Sequence, residues 1–494
     1  MTGNAITSGG DRRAATAAPR GFVIAGTHSG VGKTSLSLGL MGALRRSGYA
    51  VGPFKVGPDY IDPTYHTSVC GRPSRNLDTW LMPPDEAVGV FVRGVAALGG
   101  GATSVAVVEG VMGLFDGRIG AGDACSTAEM AKLLDLPVIL VVDCSHMGRS
   151  AAAIVHGFST FDPALRVAGV ILNKVAGGSH AAMVREALAG GLPVVGVVPR
   201  RGDLQLDSRH LGLIPTVEDP AIAEVLERIV DHVEQNVDLG AVLSLAGPVA
   251  VGDATGGAAR VTGSSASAVR PAAAPPRRRV AVARDAAFSF YYQDNLDVLE
   301  EEGAEVCLFS PVAGDGLPPC DALYLGGGYP EVYAEELAAN YALLEELRTA
   351  AADGLPMYAE CGGYLYLGRE IEYGAGTYAM AGILPTATTM AEKRLRIGYV
   401  EATPTGWSPL AGSEIVPDVA GAAPRSGFRG HLFHYSATTG SDSPAYRVTH
   451  KGETIEDGWT DGHIVASYVH LHFRGSRNVA RWLAGGSHHE GEDS

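Results

Sequence analysis

Two α/β domains built on mostly parallel sheets are what the sequence predicts, on three observations. Short apolar runs alternate with helical patterns through both halves of the chain, the arrangement of successive βαβ units. In the first half the runs at 22–25, 105–108, 138–142, 167–172 and 194–198 are almost continuously apolar, as expected of strands covered on both faces. Between the halves, residues 252–276 read GDATGGAARVTGSSASAVRPAAAPP, which holds too little apolar surface to offset the entropy of ordering it. The chain therefore divides into a lead-in (1–19), a first domain (20–250), a linker (251–278), a second domain (279–482) and a polar tail (483–494). Strand-like runs in the second domain fall at 280–283, 305–309, 322–325 and 357–359.

Composition narrows the functional classes. The 494 residues are 46% hydrophobic and 19% charged, with a net charge of −16, so nucleic acid and anionic membrane surfaces are poor partners. Six cysteines are scattered without a CxxC pair, which argues against a zinc site or a disulfide framework and for a reducing compartment. No apolar run approaches the ~18–20 residues of a membrane span. The first residues lack the apolar core of a secretory signal, and a cytoplasmic enzyme is expected.

The first strand runs into Gly26-Thr27-His28-Ser29-Gly30-Val31-Gly32-Lys33-Thr34 and then a helical stretch. A glycine loop between strand and helix aims backbone N–H groups at phosphates. Gly26, Thr27, Gly30, Val31, Gly32, Lys33 and Thr34 are the candidate ATP-binding residues, with Lys33 on the β/γ-phosphates and the Thr34 hydroxyl on Mg²⁺. The loop has five residues between Gly26 and Gly32, one more than GxxxxGK[ST] allows, so it is a variant P-loop similar to those of dethiobiotin synthetase-like and partition-ATPase-like proteins.

Other acids fall where an open α/β sheet places ligand chemistry. Glu109 ends the run 105–108 and reads as a Mg²⁺ ligand or water-positioning group, and Asp116 follows in an Asp-Gly pair that is also a common turn. In KVGPDYIDP, Asp59 and Asp62 lie on a Gly/Pro-stiffened loop and could ligate metal or orient a substrate carboxylate. Asn173, after another strand, could read a nucleotide base.

In the second domain, Met357-Tyr358-Ala359-Glu360-Cys361-Gly362-Gly363-Tyr364 places a cysteine at a sharp strand-to-helix turn. Such an elbow exposes the thiol, and the helix N-terminus favours thiolate. The Gly362 amide supplies one oxyanion donor, and the loop containing Gly327 and Gly328 supplies another. His470, in SYVHLHF, is the candidate base, while His431 and His434 in RGHLFHYS read as polar groups near the core.

These elements carry a resemblance. The second domain resembles class I glutamine amidotransferases of the cobyric-acid-synthase-like branch, although His472 stands where typical members of the class place a Glu. The whole chain, through GTHSGVGKTS, KVGPDYIDPTYHT, SRNLDTWLM, VVEGVMGLFDG, VARDAAFSFYYQDNL, YLGGGYPEVYAEEL, AECGGYLYLG, GHLFHYS and SYVHLHF in this order, resembles the cobyrinate and hydrogenobyrinate a,c-diamide synthases. The resemblance implies ATP- and glutamine-dependent amidation of two corrin side-chain carboxylates in cobalamin biosynthesis. It implies a Cys361–His470 dyad, and it assigns Asp59, Tyr60, Ile61, Asp62, Glu109 and Asp116 to the synthetase site around Mg²⁺ and the substrate carboxylate. Glutamine and a corrin are the implied partners, with room for a homodimer. Two rival readings are a cobyric acid synthase acting on other side chains and a partition-type ATPase switch, the latter leaving Cys361 and His470 unexplained.

Overall fold

The computed structural model describes residues 18–204, 220–250, 277–391, 395–415 and 424–486. The expected linker lies outside the described residues from 251 to 276, as do residues 1–17 of the lead-in and 487–494 of the tail.

The first domain is a parallel sheet wrapped by helices. Its strands are β1 (Arg20–Gly26), β2 (Ala50–Val56), β3 (Arg75–Leu77), β4 (Ser104–Glu109), β5 (Val138–Asp143), β6 (Val167–Val175) and β7 (Val194–Pro199), in the order β3-β2-β4-β1-β5-β6-β7. A short β8 (Gly247–Pro248) pairs antiparallel with the start of β1. Alternate residues of β1 feed different cores: Val23 and Ala25 pack on one face, Phe22 and Ile24 on the other. That two-sided burial is why these strands read as unbroken apolar runs. Register sets the site. Glu109, the last residue of β4, lies opposite Ile24 on one side and Lys55 on the other. The carboxyl ends of β1, β2 and β4 therefore meet beside the glycine loop that leads into α1 (Lys33–Arg46).

The second domain has a sheet ordered β10 (Glu305–Phe309), β9 (Arg279–Ala283), β11 (Ala322–Leu325), β12 (Met357–Glu360), then strands Ile464–Ser467 and Trp459–Thr460. Only the last pair in this sheet is antiparallel. Mostly antiparallel strands inserted between 370 and 457 are the part that the βαβ alternation does not announce. Among them Arg396–Pro404 pairs with both Phe428–His434 and Tyr446–His450. The strand Phe428–His434 also reaches the loop after Ile464–Ser467, because His431 and His470 exchange backbone hydrogen bonds of 3.0 and 2.8 Å. The final helix, Arg477–Leu483, buries Leu483 completely, which carries the core one residue past 482.

Candidate active site

The phosphate loop is held from three sides. Gly30 and Gly32 adopt φ of +81° and +99°, a region that penalises any side chain. Gly32 is doubly constrained, since a Cβ there would lie 2.4 Å from the Asn173 amide nitrogen. That nitrogen donates to the Val31 carbonyl at 2.7 Å, so Asn173 braces the loop. Lys174 adds a second strut, donating to Gly30 O and Asp143, each at 2.7 Å. Thr27 enters the loop with its amide bonded to Val141 O at 3.2 Å. Lys33 curls over the loop and donates to Met112 O, and burial, followed by the nearby Lys55, lowers its pKa to about 8. Asp116 lies in the same field, and its carboxylate accepts the Gly113 amide at 3.0 Å, shaping the turn that carries Met112.

Beyond Lys33 the acids assemble around an ammonium group that sequence reasoning did not single out. Lys55 Nζ lies 2.5 Å from Asp62, 2.8 Å from Glu109 and 3.8 Å from Asp59. Thr34 Oγ1 donates to Glu109 at 2.8 Å and reaches Asp62 at 3.3 Å. Glu109 is fully buried, and its other oxygen meets His66 Nε2 at 2.7 Å. Burial alone would raise the Glu109 pKa, but Lys55 and His66 overcome it and hold the carboxyl well below its usual range. Asp62 is driven the other way by burial and by Asp59. Asp59 also accepts the amides of Ile61 (2.8 Å) and Asp62 (3.2 Å), which fixes the start of α2 (Ile61–Cys70).

The donor set suits Mg²⁺. Thr34, Asp62 and Glu109 offer hard oxygens next to a phosphate loop, and Lys55 shows that the pocket already accepts a cation. Among the described residues, no three His, Cys, Asp or Glu side chains converge on one metal-sized point. A Mg²⁺ here would complete its shell with phosphate oxygens and water, as that ion usually does.

At the second centre, Cys361 is the turn between β12 and the helix Gly362–Leu367, with φ +47° and ψ −102°. Such a backbone is costly for a residue with a side chain and is the geometry of a nucleophile elbow. The thiol is buried and points to Phe433 O, 3.6 Å away. Contrary to the simple helix-terminus argument, it sits well above its ordinary pKa: burial and then Glu331 push it up, while the Gly362 and Gly328 amides pull it back. Those two amides are the ones that the structure brings to the sulfur. Gly327 supplies space, because a Cβ there would lie 2.5 Å from His470 Cε1 and 3.4 Å from Cys361 Cβ. His470 is fully buried with neither ring nitrogen hydrogen-bonded. Its Nδ1 lies 3.8 Å from Glu360 Oε2. His472 is turned elsewhere, its ring tilted against Tyr292 at 4.9 Å with its Nδ1 facing the Arg474 amide. His434 lies flat on Tyr468 at 3.7 Å.

The two centres are joined by the loop between them. The resemblance groups Tyr60 with Asp59 and Asp62, whereas its ring turns to the second domain. Its ring stacks on Phe290 (5.0 Å) and Tyr292 (4.5 Å) of the second domain and lies 5.0 Å from the His470 ring. Asp78 and Trp80 complete the joint: Asp78 accepts from Tyr399 OH at 2.8 Å, and Trp80 Nε1 donates to Gly430 O at 3.2 Å. Arg75 bridges to Asp294 (2.9 Å) and Asp297 (2.6 Å).

Comparison with known proteins matches both halves of this arrangement. The CobQ/CobB/MinD/ParA nucleotide binding domain covers residues 22–214, and the CobB/CobQ-like glutamine amidotransferase domain covers residues 279–478. A cobyrinate a,c-diamide synthase of Syntrophotalea carbinolica is 43% identical over 472 residues, spanning 93% of this chain and 97% of that protein. The chain belongs to the cobyrinate and hydrogenobyrinate a,c-diamide synthase family. A second relative is the cobyrinate a,c-diamide synthase of Dehalococcoides mccartyi strain CBDB1, 40% identical across 93% of this chain and 96% of its own. A third, the hydrogenobyrinate a,c-diamide synthase of Streptomyces coelicolor, is 41% identical across 94% and 97%. Among the described residues no helix is long and apolar enough to cross a membrane.

Proposed function

We propose that the chain amidates the a and c side-chain carboxylates of a corrin, hydrogenobyrinate or cobyrinate, using ATP and glutamine. The observation that carries this reading is the docking of a glutaminase elbow against a phosphate-loop domain through one loop, residues 57–62, which touches both centres.

A carboxylate resists nucleophiles because of its charge and because oxide is a poor leaving group. Attack of a carboxylate oxygen on the γ-phosphorus of ATP expels ADP and forms an acyl phosphate. Lys33 and the loop amides from Gly30 to Thr34 are placed to bind the phosphates and offset the charges brought together. Mg²⁺, held by Thr34 and Glu109 with Asp59 or Asp62 near, would supply further charge neutralisation at the transferring group. Ammonia then attacks the acyl carbon, and inorganic phosphate leaves with one former carboxylate oxygen.

Ammonia comes from Cys361. His470 takes the thiol proton, sulfur attacks the glutamine carboxamide, and the Gly328 and Gly362 amides receive the oxyanion. The proton returns to the leaving ammonia, and water hydrolyses the thioester to glutamate. Asp59, Ile61, Asp62 and Asp116 are proposed to place the substrate carboxylate, with Tyr60 facing the ammonia source. Burial of the whole joint excludes the water that would protonate ammonia or hydrolyse the acyl phosphate.

Substituting Cys361→Ala tests the reading. Glutamine-driven amidation should vanish while amidation from added ammonium salt remains, and undiminished glutamine turnover in the variant would exclude Cys361 as the ammonia source. Comparing hydrogenobyrinate with cobyrinate under the same conditions assigns the ring.

A further inference from the structure

The dyad reading leaves His470 without the carboxylate that usually orients a catalytic imidazole, since His472 stands in the place of the usual Glu and faces Tyr292. A carboxylate is nevertheless present, contributed by the residue immediately before the nucleophile. Glu360 Oε2 lies 3.8 Å from His470 Nδ1, with 1% and 0% of the two side chains exposed.

Three hydrogen bonds fix that carboxylate. Tyr358 OH and the Leu471 amide donate to Oε1, each at 3.0 Å, and Tyr324 OH donates to Oε2 at 3.1 Å. The Leu471 amide belongs to the residue after His470, so the same carboxylate grips the backbone of the loop whose imidazole it faces. Its position follows from the sheet: β12 runs parallel to Ile464–Ser467 with Glu360 opposite Ser467, so the elbow and the histidine loop leave neighbouring strand ends together. On its other side the imidazole meets the Tyr60 ring and Gly327. Both His470 nitrogens are otherwise unpartnered, although they are fully buried.

From this geometry we infer that Glu360 is the positioning carboxylate of the glutaminase: it faces His470 Nδ1, leaves Nε2 for the thiol proton, and balances the imidazolium formed when Cys361 is deprotonated. Sequence patterning hides such a triad because its acid precedes the nucleophile instead of following the histidine. The inference rests on the glutaminase reading above.

The test is Glu360→Gln in the full chain, with glutamine-driven and ammonium-driven amidation measured side by side. Glutamine-dependent kcat should fall on the order of 100-fold, with KM for glutamine little changed and ammonium-driven amidation retained. A second readout follows iodoacetamide alkylation of Cys361, by peptide mass, against pH. Here the sign decides. The direct charge of Glu360 pushes the thiol up, so loss of that charge alone moves alkylation to lower pH. Loss of support for imidazolium moves it to higher pH, which is the predicted result. Glu360→Asp, which keeps the charge at shorter reach, should recover part of kcat and restore the parental alkylation profile; if Glu360→Gln does not fold, full parental glutamine-dependent kcat in Glu360→Asp overturns the assignment. Full glutamine-dependent kcat in Glu360→Gln, or alkylation moving to lower pH, overturns the assignment. If Cys361→Ala abolishes glutamine use while Glu360→Gln is unaffected, only the role of Glu360 fails; if both retain it, the glutaminase reading itself fails.

Discussion

The Tyr60 ring lies 5.0 Å from the His470 ring, although one belongs to the phosphate-loop domain and the other to the glutaminase. Its neighbours in sequence, Asp59 and Asp62, contact the Lys55 ammonium of the synthetase centre. One short loop thus touches both centres.

Replacing Tyr60 by Ala removes a ring buried among Phe290, Tyr292 and His470. The cavity should cost about 3–5 kcal/mol in chemical unfolding. Glutamine-driven amidation should fall more than ammonium-driven amidation, because the lost wall belongs to the glutaminase. Equal losses in both assays would show that the ring acts on stability alone.

Lys55 neutralises the buried acids Glu109 and Asp62. Lys55→Met removes the ammonium from both, leaving Glu109 with only His66 and Thr34, and the expected loss is about 3–5 kcal/mol by urea denaturation at neutral pH. Added Mg²⁺ should recover part of the loss by supplying another cation. A variant with the parental midpoint, with or without Mg²⁺, contradicts this account of the cluster.

Carboxyl phosphorylation predicts that ¹⁸O placed in the substrate carboxylate appears in inorganic phosphate during turnover. Lys33→Ala should lower the rate of both label transfer and amidation while sparing the thiol chemistry at Cys361. Amide formation without label transfer would replace the acyl phosphate with another activated acyl species.

Burial lowers the pKa of His472 to about 3, against about 6.5 for an unfolded histidine. Between those values the unfolded chain binds the extra proton, so the stability due to a neutral His472 is complete above about pH 6.5 and is lost as pH falls. His431 and His434, also lowered to about 3 by burial, act in the same direction. Asp457 and Glu331 oppose them: burial raises these carboxyls to about 6 and about 7, so their contribution is complete at low pH and is lost as pH rises. A difference measurement isolates the histidine. The penalty of His472→Gln, measured in urea, should shrink by roughly 1.4 kcal/mol per pH unit below about pH 6. A penalty independent of pH would mean that His472 is not held neutral.

Features confined to a few consecutive residues were legible in the sequence. The loop Gly26–Thr34 and the turn at Cys361 each combine a strand end, glycines and a helix start, so their chemistry is readable without tertiary information. Residues whose role depends on strand register or docking were not. Lys55 becomes central only because β2 lies against β4 and sets it opposite Glu109. Glu360 is adjacent to the nucleophile, yet nothing local shows that its carboxylate turns toward a histidine arriving on another strand. The resemblance groups Tyr60 with the neighbouring acids, but a helix start splays adjacent side chains apart, and its ring crosses to the other domain. The strands between 370 and 457 escape the βαβ pattern because, among the described residues, they follow one another without an intervening helix.

The central claim is that both centres serve one reaction on a corrin. Its most direct measurement is turnover of the full chain with hydrogenobyrinate or cobyrinate, ATP, Mg²⁺ and glutamine labelled with ¹⁵N in its side-chain amide. The account predicts a corrin diamide carrying two ¹⁵N atoms, with one ADP formed for each. ATP consumption with neither corrin acquiring ¹⁵N, while glutamine is hydrolysed freely, would contradict it.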